Sequence, residues 1–175
     1  MELPAKKILI VDDEELNRIL LRDMVEHLGH VPVLARDGAQ ALALVDRTID
    51  LVLMDVMMPV MDGYEAVRRI RRMEEFAELP IIMVTALANR EDRLLAVEAG
   101  ASDFIAKPVD FTELRVRTES LLKIKESRDA IQIYQRELEE LVRGMRKLSR
   151  AIEQTADHIV ITDNNGVIEY VNPAF

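Results

Sequence analysis

Between residues 7 and 110 the chain alternates short aliphatic runs with amphipathic segments of helical period, the pattern of βαβ units around a parallel sheet. Lys7–Asp12, Val31–Ala35, Asp50–Asp55, Pro80–Thr85 and Asp103–Ala106 are apolar at successive positions, as strands covered on both faces require. The intervening segments predict helices over Asn17–His27, ended by Gly29, and from an Asp37 cap to Thr48. Two more are predicted over Gly63–Met73 and over Asn89–Ala99, the latter ended by Gly100. Right-handed crossovers place such helices on both sides of a doubly wound α/β sheet, whose ligands sit beyond the carboxyl ends of the strands.

The pattern changes at Asp110. "DFTEL" offers Asp110 as N-cap and Glu113 three residues on, a capping box, and neither Gly nor Pro follows until Gly144. One helix over residues 111–155 is the economical reading, about 65 Å long at 1.5 Å per residue and too long for this domain to cover. Ile131, Tyr134, Leu138, Leu141, Met145, Leu148 and Ile152 recur at alternating spacings of three and four, a coiled-coil seam that a second copy of the chain can cover. Residues 156–175 then read as two strands around Asn164-Asn165-Gly166. A lone hairpin is marginal in water, so this segment is expected to open a domain that continues past the fragment.

Composition narrows the function. The net charge of −9 disfavours direct nucleic-acid binding, which needs a clustered basic face. With no cysteine there is neither disulfide nor thiolate metal site. No signal peptide or membrane-length apolar run is present, so a cytoplasmic location without membrane contact is expected. His27, His30 and His158 have no ligand spacing and are expected in surface or capping roles.

Candidate chemistry lies where the strands end. Asp12 and Asp13 close the first strand, Asp55 the third and Thr85 the fourth, and Lys107 follows the fifth. Each has an ordinary explanation as cap or turn, but the topology brings all five to one rim. Converging carboxylates without sulfur or imidazole favour a hard cation such as Mg²⁺, which also takes phosphate oxygens as ligands. Asp55 is the preferred nucleophile, able to carry a phosphoryl group as an acyl phosphate; Lys107 would neutralise one phosphoryl oxygen and Thr85 would hydrogen-bond another.

The stretches "ILIVDDEELNR", "LVLMDVMMPVMDGYE", "PIIMVTALA" and "GASDFIAKP" closely resemble the receiver domain of bacterial two-component response regulators, over about residues 5–120. The resemblance implies a flavodoxin-like five-stranded parallel sheet of order 2-1-3-4-5. It also implies Asp55 as phosphoacceptor, Asp12, Asp13 and the Met57 backbone carbonyl as metal ligands, and Thr85 and Lys107 as phosphate contacts. Phe104 would be the aromatic whose rotamer follows Thr85, and a cis peptide at Lys107-Pro108 is a frequent feature of relatives. Leu87 occupies a variable place that tunes phosphoryl lifetime in relatives. "AIEQTADHIVITDNNGVIEYVNPAF" resembles the start of a PAS sensory domain.

The expected organisation is a receiver domain over 1–120, a signalling helix over 111–155 continuous with the last receiver helix, and the start of a PAS domain over 156–175. The expected function is a phosphorylation switch rather than an enzyme. It would be charged by a sensor histidine kinase or phosphotransfer protein with Mg²⁺ and relayed through a homodimeric helix. Rival readings are a non-phosphorylated dimerisation scaffold, a flavin-binding flavodoxin relative, and a haloacid-dehalogenase-type phosphatase. The phosphatase chemistry wants a second acid where Met57 stands.

Overall fold

The computed structural model describes residues 4–86 and 90–175, with only the backbone described at 90–93. It forms two compact units, residues 1–127 and 128–175. In the first, β1 (Lys7–Val11), β2 (Val31–Ala35), β3 (Leu51–Asp55), β4 (Ile81–Thr85) and β5 (Asp103–Ala106) form a parallel sheet of order β2-β1-β3-β4-β5. Every residue of β3 and β4 is buried, while the edge strands β2 and β5 are partly open.

The period of two along each strand divides the core. Leu9, Val11, Val52, Met54, Ile81 and Met83 face α2 (Gly38–Leu44), α3 (Gly63–Arg72) and α4 (Arg90–Ala99). Ile8, Ile10, Leu51, Leu53, Ile82 and Val84 face α1 (Glu15–His27) and the first turns of α5 (Phe111–Gln154), which contribute Leu21, Val25, Leu114 and Leu122. Arg71 fastens the α3–α4 side by donating to the carbonyls of Gly100, 2.8 Å, and Phe76, 3.0 Å. Gly100 has φ +97°, and a Cβ there would lie 2.9 Å from the Arg71 side chain, which accounts for glycine at the end of α4.

Several boundaries differ from the sequence expectation. The helix expected to reach Thr48 stops at Leu44, because Asp46 turns the chain by accepting from the backbone and hydroxyl of Thr48, and Val45 and Ile49 enter the core. α1 starts at Glu15, two residues before the expected Asn17. The capping box before α5 is half formed: Asp110 Oδ1 accepts from the Glu113 amide at 2.9 Å, but the Glu113 carboxylate turns to Arg117. His30 is 8% exposed and hence not a surface residue, while its backbone amide caps the end of α1 by donating to the Val25 carbonyl at 3.1 Å; burial depresses its pKa. Asn89 and Leu87 lie outside the described residues.

In the second unit, α5 continues to Gln154, and β6 (Val160–Thr162) pairs antiparallel with β7 (Ile168–Val171). Asp163 organises the turn: its Oδ1 accepts from the amides of Asn165 and Val167, and Gly166 takes φ +83°. Asn172, 2% exposed, ties the hairpin to the helix end by donating to the carbonyls of Ile152 and Asp157 and accepting from the Ile159 amide. Six of the predicted seam residues, Ile131, Tyr134, Leu138, Leu141, Met145 and Leu148, are 56–70% exposed.

Candidate functional site

Because the strands are parallel, the carboxyl ends of β1, β3, β4 and β5 meet at one edge, beside the β1–β3 switch in winding direction. Asp12 is fully buried, and Asp55 and Thr85 are each 5% exposed. Lys107 Nζ reaches into the acids, 2.7 Å from Asp12 Oδ2 and 3.0 Å from Asp55 Oδ1. The backbone amide of Lys107 donates to the Thr85 carbonyl at 2.8 Å, and the Lys107-Pro108 peptide is cis. Asp12, Asp13 and Asp55 each offer a carboxylate oxygen such that the three lie within 4.8 Å of one another, with Asp13 the exposed member. Phe104 is half-buried on β5 against the α2–α4 side of the core, and Met57 follows Asp55 by two residues with its side chain exposed. The structure therefore assembles Asp12, Asp13, Asp55 and Lys107 in direct proximity and sets Thr85 and Phe104 on the adjoining strands.

Burial raises the Asp55 pKa above its ordinary value, and the charge of Asp12 adds to this, while Lys107 partly opposes it. For Lys107, burial works against the charge. Hydrogen bonds and attraction from Asp12 and Asp55 outweigh it and hold its pKa above the ordinary value. Three carboxylates against one ammonium leave an excess of negative charge, and an all-oxygen donor set fits a hard divalent cation.

Three supporting residues escaped the sequence reading. Arg18 donates to the backbone carbonyls of Asp12, 2.6 Å, and Asp13, 2.8 Å, and Asn17 donates to Asp12 Oδ1 at 3.2 Å. These contacts orient the acidic loop from the first turn of α1. Gly63 donates to the Val56 carbonyl at 2.9 Å, and a Cβ on it would lie 2.1 Å from the Asp55 carbonyl oxygen. Only glycine lets the start of α3 approach the end of β3 this closely. The signal was present in "MDG": Asp62 already caps α3, accepting from the Glu65 amide, so the glycine after it is not needed for capping.

The response regulator receiver domain profile matches residues 8–119. The chain belongs to this family. It is similar to "Probable transcriptional regulator ycf27" of Cyanophora paradoxa, 41% identical over 128 residues covering 73% of this chain and 52% of that protein. It is also similar to "Response regulator PleD" of Caulobacter vibrioides, 39% identical over 122 residues covering 69% of this chain and 27% of that protein. The chain thus spans about half the length, or less, of these curated relatives. Among solved structures it is similar to the receiver domain of sensor histidine kinase PA1611 from Pseudomonas aeruginosa, TM-score 0.64 and 37% identity, covering 68% of this chain and 98% of that one. That receiver carries a magnesium ion coordinated in its active-site cleft. The five-stranded order of this receiver domain is the one expected from the sequence. No helix among the described residues is long and apolar enough to cross a membrane.

Proposed function

We propose that Asp55 accepts a phosphoryl group from a histidine kinase or phosphotransfer protein, and that the change is relayed through α5. The observation that carries this is the under-neutralised pocket: among the described residues, the buried Asp55 carboxylate stands beside two further acids with one lysine, Lys107, 3.0 Å away. An oxygen of Asp55 attacks phosphorus, the bond from phosphorus to the donor's histidine nitrogen breaks, and the imidazole leaves. Asp12, Asp13, Asp55 and the Met57 carbonyl would hold Mg²⁺, which when bound neutralises phosphoryl oxygens. Lys107 would shift to a phosphoryl oxygen and the Thr85 hydroxyl would bond another. Phe104 then takes the space beside Thr85, changing the face that β5 shares with α5.

Leu16 and Leu20, 80% and 48% exposed and one turn apart on α1 next to the acids, offer apolar contact to a docking partner. Residues 156–175 fit the start of a PAS domain, and the exposed α5 seam fits pairing with a second copy. The chain acts as a phosphoacceptor rather than a turnover enzyme on this reading; Met57 stands where a phosphatase would carry its second acid.

Incubation with Mg²⁺ and acetyl phosphate tests it by mass spectrometry. One phosphoryl group per chain is expected, absent from Asp55→Asn and strongly reduced in Asp13→Asn. Equal labelling of Asp55→Asn would remove the assignment.

A further inference from the structure

The first turns of α5 carry a contact that the phosphoacceptor site does not use. Asp103 and Phe104 are the first two residues of β5, and Arg117 lies on α5 one turn beyond Glu113. The Arg117 guanidinium donates through one nitrogen to both carboxylate oxygens of Asp103 at 2.7 Å. Its other two nitrogens donate to Glu113 Oε1, at 2.9 and 2.7 Å. With all three nitrogens fixed, the planar cation lies 5.6 Å from the centroid of the Phe104 ring. This explains why Glu113 does not complete the capping box, since its carboxylate braces the guanidinium instead. Asp103 Oδ1 also accepts from the Phe104 amide at 2.8 Å, so the acid that anchors Arg117 is bonded to the backbone of the residue Arg117 covers.

From this geometry we infer that Arg117 is a positioning residue for the switch, a latch that holds Phe104 in the resting arrangement and couples its side chain to α5. The inference rests on the proposed phosphorylation of Asp55. Moving the Phe104 ring toward Thr85 gives up the face-on contact with the cation, so the latch biases the two-state equilibrium toward the unphosphorylated form. Because Arg117 is a rigid fork on α5, the ring cannot move while the guanidinium stays over it; either the fork opens or the helix turn that carries it shifts. Arg117 thereby sets both the threshold for activation and the point where the change enters α5.

The test measures the response of the full chain to beryllofluoride with Mg²⁺, with Phe104→Trp supplying a single tryptophan reporter, since the chain has none. Loss of one partly exposed cation–π contact corresponds to about two- to fivefold. Arg117→Met in the reporter background should reach half-saturation at about two- to fivefold lower beryllofluoride, and Asp103→Asn, which loosens the fork without touching the ring, should move the same way. Arg117→Lys, which keeps charge but not the fork, should fall between. A merely structural role would lower the melting temperature without tightening the response. Unchanged or weakened response in both Arg117→Met and Asp103→Asn overturns the latch. Absence of any response in the reporter chain, together with no labelling of the native chain, overturns the reading of Asp55 itself and the latch with it.

Discussion

At the scale of single residues the site is a compromise between burial and charge. Asp55 is almost fully buried, and its raised pKa means that the folded state disfavours the ionised form. A folded pKa above the unfolded value gives stability that is complete below about pH 3.9 and is lost as pH rises through the folded pKa. In the presence of a chelator, Asp55→Asn should therefore melt higher than the native chain at neutral pH, with the difference vanishing in acid. Denaturant titrations at pH 7.5 and in acid measure this, and a less stable Asn variant at pH 7.5 would contradict it. Mg²⁺ should reverse the ranking: at a hundred times its dissociation constant it stabilises only a chain that binds it, by about 2.7 kcal/mol. The carboxylates, Thr85 and Lys107 were legible because each stands at a predicted strand end and the topology alone brings strand ends together. Arg18 and Arg117 were not, since one serves backbone carbonyls and the other serves residues whose relative placement depends on how α5 lies against β5.

At the scale of elements, the connection between β3 and α3 shows how local backbone requirements build the site. Val60 has φ +69° in this loop, an αL conformation unfavourable for a β-branched residue, and is 88% exposed. Three residues on, Gly63 seats the start of α3 against the carbonyl of Asp55. The two positions predict opposite outcomes. Val60→Gly relieves the αL cost and removes no buried contact, so it should stabilise the receiver unit by about 1 kcal/mol. Gly63→Ala must displace α3 or the end of β3, so it should destabilise by about 2–4 kcal/mol and also slow labelling of Asp55. Thermal melts and labelling rates on both variants check this, and a neutral Gly63→Ala would show that the approach is looser than 2.1 Å implies. Element types were readable from period and length. The end of α2 was not, because "VDRTI" keeps a helical apolar spacing through Val45 and Ile49 while Asp46 diverts the backbone with its own side chain. The hairpin was readable from its turn chemistry, whereas the role of Asn172 was hidden, since its partners Ile152 and Asp157 lie 20 and 15 residues away.

At the scale of the whole molecule the decisive question is what covers the apolar seam of α5. An isolated helix gains little from its own backbone, and stable helices depend on burying a face. Here Leu138, Leu141, Met145 and Leu148 remain more than half exposed, and Val142 beside them is 37% exposed. Fully covering a large apolar side chain gains about 1.5–3 kcal/mol, so the six exposed seam positions on each of two copies are enough to offset the roughly 4–15 kcal/mol that association costs. Pairing of two copies along residues 131–152 is therefore expected, and analytical ultracentrifugation of the full chain should give a dimer at micromolar concentration. Leu141→Asp places a charge at the centre of the seam and should weaken pairing at least 100-fold, about 2.7 kcal/mol, while the receiver unit folds and labels as before. With no native cysteine, Leu141→Cys provides a second measure: an in-register parallel pair brings the two thiols together and should cross-link under mild oxidation. A native chain that stays monomeric at high concentration, with Leu141→Cys failing to cross-link, would leave the seam to another occupant and deprive the switch of its route through paired helices.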